Sequence, residues 1–172
     1  MWARRNGHGP CERGLVTDIR LVLGAQGADL EIVNGDFRLD LGLSTAVLIS
    51  LFSDRRLEED EELEGGETDR RGWWADSAAD RYGSHLWRFD RSKMVPSTQA
   101  GVEGAARESL QWLKSDGIAG EVEVSGEVVG SDRIDLTVRP KRGLARRWES
   151  IWAGVEAEDF HADGFRVRIV PG

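Results

Sequence analysis

Little in this 172-residue chain points to a covalent staple, a membrane or a nucleic acid. The single cysteine, Cys11, cannot close an internal disulfide and has no partner at metal-ligand spacing, so a reducing compartment is the simple reading. No apolar run approaches the roughly 20 residues that cross a bilayer, and Met1 to Glu12 lacks the apolar stretch of a signal peptide. A protein made and kept in the cytosol is expected. Basic excess is missing as well. At a net charge of -8 the electrostatic term opposes approach to a phosphate backbone, which argues against general nucleic-acid binding. His8, His85 and His161 stand apart, with no i, i+4 pair to chelate zinc. There is no Gly-x-Gly-x-x-Gly after a strand, no Walker lysine and no Gly-x-Ser-x-Gly elbow, so nucleotide and serine-hydrolase chemistry fall away. No metal and no cofactor is expected.

What is present is alternation and amphipathic patterning on a scale that fits one domain, able to bury about 70% of its unfolded surface. Residues 1–14, rich in Gly, Pro and Arg and without periodicity, read as a flexible tail. Ile19, Leu21 and Leu23 then alternate with their neighbours until Gly24-Ala25-Gln26-Gly27 turns the chain. Leu30 and Ile32 alternate with Asp29 and Glu31, and Asn34-Gly35 leads into Phe37, Leu39 and Leu41. Asn-Gly accepts positive φ at both turn positions, so three antiparallel strands are expected. Leu43 to Phe52 reads as a buried helix with Ser44 as its candidate N-cap. Pro96 opens a second helix whose stripe is Val102, Ala106, Leu110 and Leu113, widened by Ala105 and Trp112 and ended by Gly117. Val122 and Val124, then Ile134, Leu136 and Val138, give a second hairpin with a bulge expected at Gly126. Leu144, Trp148, Ile151, Trp152 and Val155 mark a third amphipathic helix, and Phe165, Val167 and Ile169 a closing strand.

Two segments fit neither pattern. Glu58-Glu59-Asp60-Glu61-Glu62, with Glu64, Glu67 and Asp69 around Gly65-Gly66, crowds like charges. Self-repulsion favours a solvated loop over a catalytic carboxylate pair, one member of which would need a pKa raised by burial. The loop is followed directly by Asp69-Arg70-Arg71-Gly72-Trp73-Trp74, two guanidiniums set against two adjacent indoles. Neighbouring side chains diverge by about 100° on a helix and point oppositely on a strand, so both indoles cannot enter one core from regular structure. On these residues, core packing and an interface anchor are equally open. Phe165, Val167 and Ile169 alternate with Arg166 and Arg168, which suits an edge of the chain's own sheet or a strand lent to a neighbour's.

Ordered blocks carry a resemblance. Asp18-Ile19, Leu43 to Arg56 (LSTAVLISLFSDRR), Asp69 to Asp76 (DRRGWWAD), Gly83 to Trp87 (GSHLW) and Ser109 to Leu113 (SLQWL) resemble, in that order, the Mu-like phage tail baseplate proteins. The resemblance covers Val16 to Val138. It implies a small wedge component of a contractile tail, held in several copies in a ring-shaped baseplate and assembled in the host cytoplasm. Such a protein binds a larger wedge protein and initiates the tail sheath around the tube; wedge and sheath proteins are thus the implied partners, the tail tube a further one. It also implies an α+β fold, an antiparallel sheet of N-terminal meander and C-terminal hairpin packed with two to three helices, similar to the sheath's strand-exchange domain. The division that follows is a tail at 1–14, a wedge domain at 15–140 and a helix-and-strand extension at 141–172. By position, Arg70 and Arg71 with Trp73 and Trp74 correspond to an arginine-containing segment that docks on the wedge core, with Gly72 letting the backbone turn. The expected partner-binding residues are Asp69, Arg70, Arg71, Gly72, Trp73 and Trp74, joined by Phe165, Val167 and Ile169 of the closing strand. No catalytic residue, nucleic acid or membrane is expected. Some relatives carry a lysozyme-like label, so the rival reading is a peptidoglycan hydrolase using carboxylates between Glu58 and Asp69. A third is a cytosolic module that takes an acidic or extended peptide on the basic C-terminal segment.

Overall fold

A computed structural model describes residues 18–24, 27–40, 42–61, 63, 68–74, 76–77, 81–90, 92–93, 95–131, 133–144, 158–162 and 165–170. The tail expected at 1–14 and all but the first residue of the helix expected from Leu144 to Val155 lie outside them.

The expected three-stranded meander is present, but broken in the middle of each strand. β1 (Asp18–Ile19) pairs with β6 (Leu39–Asp40), β2 (Leu21–Gly24) with β3 (Gly27–Leu30), and β4 (Ile32–Val33) with β5 (Asp36–Phe37), all antiparallel. Each strand therefore pairs with both others, and the three breaks meet. Arg20 N–H donates to the Arg38 carbonyl at 2.8 Å, Arg38 N–H to Glu31 at 2.8 Å, and Glu31 N–H to Arg20 at 3.3 Å. This closed ring of backbone bonds satisfies groups that the broken ladders would leave open. The sequence around it repeats: Asp18-Ile19-Arg20-Leu21, Asp29-Leu30-Glu31-Ile32 and Asp36-Phe37-Arg38-Leu39. In each copy the aspartate Oδ1 accepts the next residue's N–H, at 2.7–2.8 Å. The Asn34-Gly35 turn has φ of 55° and 84°, as the hairpin reading requires.

Helix α1 (Ser44–Phe52) follows, with Val47, Leu48 and Leu51 fully buried. Its N-cap differs from expectation: Ser44 makes no capping bond. The buried Asp40 does the work instead, its two carboxylate oxygens accepting the Gly42 and Thr45 N–H groups at 3.0 and 2.6 Å. A carboxylate at a helix N-terminus satisfies unmatched donors and complements the helix dipole. Thr45 Oγ1 in turn donates to the Ile19 carbonyl and accepts the Leu21 N–H, tying the first strand to the helix across its break.

A 3-10 turn (Leu86–Phe89) leads to α2 (Pro96–Ser109) and α3 (Gln111–Ser115), the expected second helix interrupted at Leu110. Val102, Ala106, Leu110 and Leu113 are all buried, as their spacing predicts, and Gly117 at φ 71° ends the run. Trp112 Nε1 donates to Ser50 Oγ at 2.9 Å, joining α3 to α1.

The helices cover a four-stranded sheet in the order β7 (Ala119–Val129), β8 (Arg133–Arg142), β10 (Phe165–Ile169), β9 (Glu158–Ala162). β10 runs parallel to β8, so the sheet is not purely antiparallel. Gly126 is not a bulge. It stays in register opposite Leu136, and its N–H and carbonyl are bonded by Glu103 and Gln99, at 2.9 and 2.8 Å. Arg107 reaches the Val124 carbonyl, so one side-chain row of α2 covers that edge of the sheet. The expectation for Phe165, Val167 and Ile169 also changes. Their strand is paired on both sides within the chain, and Val167 and Ile169 are buried in the common core. In the single chain Val167 and Ile169 are core residues, and the strand that carries them is not an open edge. Residue 140 falls inside β8, and β9 and β10 complete the same sheet.

Candidate partner-docking site

The C-terminal end of α1 positions the segment that no regular pattern explained. After Phe52 the chain runs extended from Ser53 to Leu57 between two neighbours. On one side Arg55 N–H donates to Ser84 and Ser84 N–H to Ser53, both at 2.9 Å; on the other, Leu57 N–H donates to Arg70 at 3.0 Å. Ser84 Oγ is buried, donating to the Leu51 carbonyl and accepting the Leu86 N–H. Gly83, at φ 91°, lies so close that an added Cβ would sit 2.3 Å from the Ser53 carbonyl oxygen. Only glycine fits there.

The two arginines turn inward. Arg70 donates to three backbone carbonyls, those of Glu58, Glu59 and Glu61, and so gathers the acidic segment into a defined turn. Arg71 pairs with Asp54 at 2.8 Å and stacks over the Trp87 ring, 4.4 Å from its centroid. A planar guanidinium suits both tasks. Arg71 and Gly72 both have positive φ, 52° and 99°, and reverse the chain; a Cβ on Gly72 would meet the Arg56 Cβ at 2.5 Å. Asp69 Oδ1 supports the reversal by accepting the Arg71 N–H at 2.9 Å.

Beyond the reversal the indoles emerge. Trp73 is 52% exposed and Trp74 89%. Their rings are 5.4 Å apart and tilted by 55°, and Trp73 lies 6.3 Å from the exposed ring of Tyr82, an arrangement aromatic pairs favour. Asp76 fixes the cluster. Its carboxylate accepts the Trp73 and Tyr82 N–H groups at 3.2 and 3.1 Å, and its own N–H returns to the Trp73 carbonyl at 3.0 Å. A groove of about 550 Å³ continues from Tyr82 past Arg81 to Ser109 and Trp112. Three aromatic rings at the surface, beside a groove and on a backbone fixed by these bonds, form a contact patch whose main chain is already ordered for binding.

Of the residues expected at a partner surface, the structure thus brings Trp73 and Trp74 to the outside and uses Asp69, Arg70, Arg71 and Gly72 to hold them there. Sequence reading missed Tyr82 and Asp76 as members of the cluster, and Trp87 as the ring that Arg71 covers. Asp76 and Trp87 lay inside the quoted blocks; nothing in the spacing connects Tyr82 to Trp73.

The hydrolase reading requires a carboxyl with a raised pKa. The Arg81 guanidinium bonded to Glu58 holds that carboxyl below its usual range, and Glu61 accepts from the Glu58 N–H at 2.9 Å and pairs with Arg88. Glu58 is thereby kept ionised, the reverse of a general acid.

The segments that meet here lie within a stretch that matches a known family. The model of a family described as phage protein GP46 matches residues 43–145, more than half of the chain. The chain belongs to the GP46 family. Its relatives include the baseplate protein gp46 of Escherichia phage Mu, 40% identical over 113 residues, which span 65% of this chain and 78% of the relative. The Mu-like prophage FluMu protein gp46 of Haemophilus influenzae is 37% identical over 111 residues, 63% of this chain and 75% of the relative. The resemblance read from the ordered blocks is borne out at the level of the family. Within the GP46 match fall α1, the Trp73-Trp74 loop, the Ser84 turn, α2, α3 and the β7–β8 hairpin; the three-stranded unit before α1 precedes it.

Proposed function

We propose that this GP46-family chain is a structural component of a contractile-tail baseplate, docking on a larger wedge protein through Trp73, Trp74 and Tyr82 and initiating sheath assembly by strand addition. The observation that carries the docking step is the exposure of two adjacent indoles on a backbone fixed by Arg70, Arg71, Gly72 and Asp76. Leaving Trp74 almost wholly in water forgoes on the order of 4 kcal/mol of burial, which a partner surface would recover. Family membership and the baseplate designation of the phage Mu relative support the setting. For strand addition the two sheet edges are unequal. α2 side chains already bond the β7 edge at Val124 and Gly126, so a strand added by a sheath subunit would extend β9, which has β2 beside it. Pairing there would use main-chain bonds, while the β9 and β10 side chains keep their own register.

The test is co-assembly of the full chain with the wedge and sheath proteins of the same phage. The Trp73→Ala/Trp74→Ala variant is expected to fold normally and drop out of wedge complexes. Wedge complexes that form as readily with the variant would overturn the docking site.

A further inference from the structure

The opposite end of α1 carries a second exposed apolar surface, outside the stretch that the family model matches. In the unit formed by β1 to β6 the apolar side chains of the second and third strands lie at the surface. Ile32, Phe37 and Leu39 are 63%, 47% and 50% exposed, and Leu30 and Val33 are exposed with them. Two of the three charged residues at the junction are better covered: the Arg20 and Glu31 side chains keep 20% and 27% of their surface, while Arg38 keeps 52%. Ile32 and Phe37 face each other across β4 and β5, so the apolar side chains form a patch and not scattered points. The ring of backbone bonds through Arg20, Glu31 and Arg38, with Glu31 shared between both guanidiniums, fixes the strands that carry it. A patch of this kind on a rigid frame is the surface of an interface.

Its charge selects the occupant. Asp18, Asp29 and Asp36 are exposed around the patch, and no ion pair to any of them occurs among the described residues, whereas Glu31 is balanced by Arg20 and Arg38. A second copy would set aspartates against aspartates, a repulsion that the chain's overall charge of -8 reinforces. We infer that the three-stranded unit docks a different protein, one whose contact face is apolar at its centre and rimmed by lysine or arginine. Asp40 and Thr45 bond this unit to the first turn of α1, while Asp54, Arg56 and Leu57, just past its last turn, bond Arg70 and Arg71 at the base of the Trp73-Trp74 loop. The chain is then a two-ended adaptor, with a short rigid helix between two dissimilar contact faces. This builds on the docking reading above, and the two are separable by experiment.

The probes are the purified wedge protein and the purified sheath protein of the same phage, each titrated against the full chain. Ile32→Ser/Phe37→Ser and Asp29→Lys/Asp36→Lys are expected to weaken binding of one probe at least tenfold and to leave the other as it was. Higher ionic strength should weaken the same complex. Trp73→Ala/Trp74→Ala should do the converse, so a failure of the tryptophan site shows itself separately. The inference is overturned if both variants bind both probes as the parent chain does. It is equally overturned if sedimentation shows that the parent self-associates and Ile32→Ser/Phe37→Ser does not, which would make a second copy the occupant. A fall of several degrees in the melting temperature of that variant would show the face to be covered by the chain itself.

Discussion

The two ends of α1 expose apolar side chains by opposite means. At its C-terminal end the Trp73-Trp74 loop has no regular structure, and its shape comes from specific bonds: three carbonyls on Arg70, a ring under Arg71, two N–H groups on Asp76 and glycines at positions 72 and 83. At its N-terminal end the surface is made of strands, and its shape comes from a closed set of backbone bonds around Arg20, Glu31 and Arg38. Nine residues at about 1.5 Å each separate them, roughly 13 Å of buried helix. The first surface depends on side-chain identity and should be sensitive to single substitutions in its support. The second depends on backbone pairing and should tolerate changes in its exposed side chains.

That difference can be broken or sharpened by substitution. The largest effect is expected for Gly83→Ala, where a new Cβ meets the Ser53 carbonyl at positive φ. A loss of about 3 kcal/mol or more should appear in denaturant melts. Amide exchange should rise in the Trp73-Trp74 loop, with the β1 to β6 unit unchanged. Asp40→Ala is expected to cost about 2 kcal/mol, by removing a buried helix cap, and to raise exchange at the other end instead. If both substitutions loosened both ends alike, α1 would not separate the two surfaces. Arg70→Ala should cost on the order of 1 kcal/mol, because its carbonyl partners lie partly in water. It should still reduce binding to the wedge protein, since the chain reversal begins at the next residue. The smallest effect belongs to β9, on the four-stranded sheet. Arg168, and then Arg166, hold the Asp159 carboxyl below its usual range. A lowered folded-state pKa stabilises the protein above the ordinary carboxylate range and loses that contribution as pH falls through the folded value. Asp159→Asn should thus cost no more than about 1 kcal/mol at neutral pH, and the gap to the parent should close in acid melts.

The elements that sequence disclosed were those that obey a period. The stripe of Val102, Ala106, Leu110 and Leu113 and the alternation of Ile134, Leu136 and Val138 face the core as their spacing requires, and Asn34-Gly35 makes its turn. Three things escaped it. Asp40 caps α1 because a strand end delivers it there, which no local motif records. Alternation in Leu30, Ile32, Phe37 and Leu39 correctly indicated strands but not the direction of their apolar face, because periodicity gives amphipathicity without saying which side meets the core. Arg70 and Arg71 stood beside the indoles in sequence, yet their partners are Glu58, Glu59, Glu61, Asp54 and Trp87, brought to them by tertiary structure. For the closing strand, Val167 and Ile169 could have belonged to an edge or an interior, and pairing with β8 and β9 decided it.

The central claim is that the exposed indoles bind a partner and do not stabilise the fold. Titration calorimetry of the Trp74→Ala variant against purified wedge protein, alongside its thermal melt, tests this most directly. The account predicts a melt within about 0.5 kcal/mol of the parent, as for an exposed side chain. It also predicts an affinity loss of about 2 kcal/mol or more, roughly 30-fold. An unchanged affinity, or a melt that falls by several kcal/mol, would contradict it.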